Sequence, residues 1–88
     1  MIVEAHKKEE RVVVSWLKSH GYHHIVIEAK HSYIEADGST RRMVVGVRTP
    51  ETQYEDNDMV IDFAGEQNRE PWIAVVEPDS DVIWYSIK

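Results

Sequence analysis

Residues 33–48 read YIEADGSTRRMVVGVR, and this stretch decides the fold. Asp37-Gly38-Ser39 is the strongest hairpin signal in the chain. Aspartate followed by glycine is a favoured pair at tight hairpin turns. Tyr33 to Ala36 reads as the strand entering the turn, and Arg41 to Thr49 as the strand leaving it. The centre of the second strand is almost continuously apolar, which predicts cover on both faces of the sheet. Pro50 stops it.

Upstream, Val12, Val13, Trp16 and Leu17 fall at helical spacing, which predicts an amphipathic helix over residues 4–19. Glu9 and Glu10 lie early in it and Lys18 late, matching the helix dipole, and Gly21 is placed to end it. Ile25-Val26-Ile27 starts a β-branched strand that runs to about Lys30. Downstream, residues 51–57 are polar loop. Asp58 then caps a second helix in which Met59, Val60, Phe63, Ala64 and Gln67 share a face; a short strand over residues 59–63 is the competing reading. Pro71 closes that segment, and two strands at 72–76 and 82–87 flank the turn Pro78-Asp79-Ser80-Asp81. The expected architecture is α/β (α+β): one mixed sheet of about five strands flanked by two helices, in the order α-β-β-β-α-β-β, with residues 1–88 as a single domain.

Composition narrows the function. No apolar run approaches the ~20 residues of a membrane span, and charges at Glu4, Lys7, Lys8, Glu9 and Glu10 interrupt any signal-like stretch. The absence of cysteine removes disulfides and zinc–thiolate centres, and a cytoplasmic setting is expected. The net charge of −6 argues against indiscriminate binding to nucleic acid. It is unevenly spread. Residues 1–49 hold eight Lys/Arg against six Asp/Glu, whereas residues 50–81 hold ten acids against Arg69 alone. That acidic half reads as a solvated face that aids solubility, or as an attraction for a basic partner.

Helix, Gly21-Tyr22 and hairpin together resemble the PD-(D/E)XK, or restriction-endonuclease-like, superfamily, and most of all its compact bacterial relatives of Holliday-junction resolvases. Glu10, Leu17, Gly21 and Tyr22 match the pattern of the first helix in those relatives, and Glu35 or Asp37 matches the acid on or near the second strand. The resemblance implies a divalent metal between that acid and a third-strand carboxylate, with a lysine two residues further on helping to activate water. Here those two places hold Gly46 and Arg48. Glycine offers magnesium no ligand, and arginine is a poor proton acceptor. No cofactor is therefore expected, and Mg or Mn enters only in a nuclease reading.

Three functions follow. The first is a catalytically inactive module that binds a protein or a nucleic-acid end, with Arg42, Gly46 and Arg48 as the candidate surface. The second is a metal-dependent nuclease with a displaced carboxylate, its candidates being Glu10, Glu35 and Asp37, with Asp37 the candidate metal ligand. The third is a small regulatory or structural protein that forms a homodimer through a sheet edge or aromatic patch. Glu28-Ala29-Lys30 mimics an E-x-K motif but follows the first helix directly, with no aspartate before Asp37 and no hairpin to bring an acid beside it, so it reads as an ordinary strand end. His20, His23, His24 and His31 read as surface or strand-edge residues rather than metal ligands, with His6 apart. Trp16 reads as core, Trp72 and Trp84 as packing partly under the second helix, and one of Trp84 and Tyr85 as pointing inward.

Overall fold

The computed structural model describes residues 7–87, so the expected first helical turn at residues 4–6, with His6, lies outside the described residues. The elements are α1 (Lys7–Ser19), β1 (His23–Ile27), β2 (Ile34–Asp37), β3 (Arg42–Arg48), α2 (Asn57–Glu66), β4 (Glu70–Val76) and β5 (Val82–Ser86). They build one five-stranded sheet in the order β1-β2-β3-β4-β5. Neighbouring strands are antiparallel except β3 and β4, which run parallel. A parallel pair needs a crossover, and α2 supplies it. The order α-β-β-β-α-β-β read from the sequence is the order observed.

Strand alternation divides the core between the two sheet faces. On one face Val13 and Leu17 of α1 pack with Ile34, Ala36, Met43, Val45, Ala74 and Val76. On the other, Val60 and Ala64 of α2 pack with Tyr33, Val44, Ile73 and Val75. The central run Met43–Gly46 is buried throughout, as its lack of polar alternation requires. No helix among the described residues is long and apolar enough to cross a membrane.

Two local expectations need correction. The second helix starts before Asp58: Asp56 sits at its N-cap in the left-handed region (φ 55°) with no side-chain cap bond. Turns bonded Thr52 N to Thr49 O and Glu55 N to Thr52 O lead the chain into it, so Asp58 falls in the first turn. Met59 is 46% exposed and Gln67 is the C-cap, leaving Val60 and Ala64 as the buried stripe. Trp72 and Trp84 pack on the α1 face, with the Trp84 ring 4.8 Å from that of Trp16. Their register positions on β4 and β5 place them opposite Ile73 and Tyr85 in parity, away from α2.

Candidate functional site

Glu35, Asp37, Arg42, Gly46 and Arg48 share the α2 face of β2 and β3, because each lies an even number of residues from the next on its own strand and the register pairs Glu35 with Val44 and Asp37 with Arg42. They do not form one site. Arg42 and Arg48 are six residues apart, about 20 Å along the strand. Two separate clusters result.

At the hairpin end, Arg69 lies just before β4 with only 11% of its side chain exposed. Its Nη1 donates to Asp37 Oδ1 at 2.8 Å, and its Nε lies 3.5 Å from Glu35 Oε1. The same Nη1 reaches the carbonyls of Ala36 at 3.4 Å and Met43 at 3.5 Å. Arg42 stands 3.9 Å from Asp37, and His24 Nδ1 stands 3.4 Å from its other oxygen. The hydrogen bond from Arg69 holds the Asp37 carboxyl below the usual carboxylate range; partial burial opposes this, and the charges of Arg69 and Arg42 with the His24 contact reinforce it. Both second-strand acids are thus gathered around a guanidinium.

At the other end, Arg48 is half-buried. Its Nε donates to Glu55 O at 3.1 Å and its Nη1 to Val47 O at 3.0 Å. It lines a cavity of about 220 Å³ with Glu10 from α1, His31 and Ser32 from the β1–β2 loop, and Thr52, Glu55 and Asp56. Continuing the Ile34–Val45 register by one residue sets Tyr33 beside Gly46. Burial raises the Tyr33 phenol above its ordinary range; Arg48 opposes that, while Asp56 and Glu28 add to it. Burial also lowers the Arg48 guanidinium, against the pull of Tyr33, Asp56 and Glu55. Arginine starts so high that it stays charged. Glu10 therefore joins Arg48, and Asp37 is at the far end.

The residues present do not fit a divalent metal at Gly46. A Cβ placed there would meet Val60 Cγ2 at 2.9 Å, Ile73 Cδ1 at 3.1 Å and Arg48 Nη1 at 3.2 Å. The space that a carboxylate would enter is filled by α2 and by a cation. Tyr33 keeps its proton and is a poor ligand. Among the described residues, three carboxylates converge within 4.8 Å only at Glu77, Asp79 and Asp81, in the exposed β4–β5 turn. That turn is organised by its own bonds, Glu77 N to Asp81 O at 2.8 Å and Asp81 N to Asp79 Oδ1 at 3.1 Å.

The E-x-K lookalike closes a loop. Glu28 Oε1 accepts from His31 N at 2.7 Å, and Lys30 is exposed. The histidines are dispersed: His20 stacks on Trp16 with centroids 3.7 Å apart, His31 on Tyr33 at 5.0 Å, and His23 and His24 lie side by side on β1. Sequence reasoning overlooked Arg69 and Tyr33. Arg69 had a signal, as the lone base among ten acids; Tyr33 had none without the register.

Because the raised Tyr33 pKa lies above its unfolded value, the phenol's contribution to stability is complete below about pH 10 and is lost as pH rises through the folded value. Tyr33→Phe should remove that alkaline loss, seen as a flatter dependence of melting temperature on pH above about 10.

A mixed sheet ordered 1-2-3-4-5, with α1 on one face and a crossover helix on the other, is the restriction-endonuclease-like fold. The chain is similar to the structure of Hjc, a Holliday junction resolvase from the archaeal hyperthermophile Archaeoglobus fulgidus, with a TM-score of 0.72 over 90% of this chain and 70% of that one. Identity is 15%, so the likeness is one of fold. No family model matches the sequence, and no curated protein matches it.

Proposed function

We propose that this chain is a nuclease-fold module that binds without cleaving. The observation that carries the reading is the packing at Gly46, where Val60 and the Arg48 guanidinium fill the space a metal-binding carboxylate would need. A fixed guanidinium can pair with a phosphate or carboxylate but cannot lower the pKa of a bound water as a metal does. The similar protein is a resolvase of Holliday junctions, which makes branched DNA the first ligand to test. Exposed Arg41 and Arg42, with His20, His23 and His24, lie where the β2–β3 hairpin meets the end of α1 and the start of β1, and give phosphates a place to sit in exchange for the pairs Arg41–Glu70 and Arg42–Asp37. The overall negative charge makes such binding weak and strongly salt-dependent.

Four-way and single-stranded DNA should be titrated at low salt, with and without Mg or Mn. The expected result is binding that Arg41→Glu with Arg42→Glu removes while circular dichroism shows the chain still folded, and no cleavage product with either metal. Glu10 lines the same cavity as Arg48, which is the observation that favours a nuclease with a displaced carboxylate. Metal-dependent cleavage abolished by Glu10→Gln would establish that second reading instead.

A further inference from the structure

The two ends of the sheet are protected differently. Edge strand β1 carries a register break between His23 and Val26, with His24 in the left-handed region (φ 52°). Such a bulge twists an edge away from intruding strands. Edge strand β5 has none of this. Val82–Ser86 pairs with β4 through five consecutive partners without a break and contains no charge and no proline. Among the described residues, no strand pairs with its outer side.

Its surroundings are apolar at the centre and acidic at the rim. Ile83 and Tyr85 face the α2 side of the sheet, where α2 covers β3 and β4, and they remain 39% and 43% exposed. Tyr85 Oη donates to Gln53 Oε1 at 3.4 Å, which sets the turn carrying Tyr54, 83% exposed, beside the strand. Exposed Glu51 shares a cavity with Val76, Glu77, Pro78 and Ser80 at the head of the β4–β5 hairpin, and exposed Asp79 and Asp81 stand in the turn that leads into β5. None of Glu51, Asp79 and Asp81 forms an ion pair with another described residue.

We propose that β5 accepts a basic, extended segment of a partner protein as a sixth strand. Main-chain hydrogen bonds along the free edge would supply affinity, Ile83, Tyr85 and Tyr54 the apolar contact, and the acidic rim the preference for lysine and arginine. Charge decides the occupant. A second copy meeting edge to edge would bring two halves together in which ten acids face one arginine, and that arginine is already paired within its own chain. Nucleic acid is repelled by the same field. The inference does not rest on DNA binding.

The test is a titration of the full chain, followed by amide NMR, with a short synthetic peptide alternating lysine and valine and a counterpart alternating glutamate and valine. Sedimentation of the chain alone runs alongside. The expected result is saturable shifts in residues 82–86 and 51–56 with the lysine peptide only. Ile83→Lys should weaken binding about tenfold, and so should added salt. Asp79→Lys with Asp81→Lys, in the exposed turn, serves if Ile83→Lys fails to fold. Retained binding in the Arg41→Glu, Arg42→Glu chain separates this surface from the DNA reading. The proposal is overturned by absent saturation, by equal binding of the glutamate peptide, by shifts centred on β1, or by a dimer joined through β5.

Discussion

Gly46→Glu should destabilise the protein by about 2–3 kcal/mol and should not create a metal site. The new Cβ alone lies 2.9 Å from Val60 Cγ2 and 3.1 Å from Ile73 Cδ1, both fully or nearly fully buried, so α2 must shift or the strand must bend. The rest of the side chain then brings a carboxylate into the α2-side core, where Arg48 is its one near cation. The clash has a specific partner, and this gives a sharper test than the single variant. Gly46→Ala and Val60→Ala should each destabilise, the first by overpacking and the second by leaving a cavity. Combined, they should cost less than the sum, because the alanine methyl enters the space that valine vacates. Urea unfolding of the four chains measures the coupling. A Gly46→Glu protein of unchanged stability that binds magnesium would mean that the Val60 contact does not close the site.

Arg69→Met should be the other costly change. It keeps the aliphatic stem and removes the cation shared by Glu35, Asp37 and two main-chain carbonyls. The expected loss falls between the ~1 kcal/mol of an exposed pair and the ~3–5 kcal/mol of a fully buried one. Arg69 is nearly buried, whereas its carboxylate partners keep about a fifth to a quarter of their surface, 20% for Glu35 and 24% for Asp37. The pH dependence identifies the cause. The folded pKa of Asp37 is depressed, so its stabilisation is present above the unfolded value of about 3.9 and is lost as pH falls through the folded value. In Arg69→Met two carboxylates share one face without their cation, and protonation relieves them. The stability gap between the two proteins should therefore narrow on acidification, as thermal melts across the acid range would show. A gap that stays constant would assign the loss to packing alone.

These two variants probe the separate clusters that divide the candidate residues. The restriction-endonuclease-like frame is present, with the β2 acids engaged by Arg69 while Val60, Ile73 and Arg48 crowd Gly46. The guanidinium contacts of Arg69 and Arg48 thus occur on the same sheet face, at its two ends.

The order of elements was legible in the chain because each signal is local. The Val12–Val13–Trp16–Leu17 stripe specifies a helix face, Asp37-Gly38 a tight turn, and the apolar run 43–45 a strand covered on both sides. The placing of Gly46 and Arg48 two residues apart on one strand was legible for the same reason. What the chain could not disclose was everything that depends on pairing between distant segments. Arg69 reaches Asp37 across 32 positions, and Tyr33 stands beside Gly46 through the β2–β3 register. The α1 side of the sheet claimed Trp72 and Trp84 because strand parity is set by register, which hydrophobic pattern leaves open when both faces are apolar. Local propensity and turn chemistry determined the frame; the register and the crossover of α2 decided which side chains meet in it, because only they convert separation in sequence into distance in space.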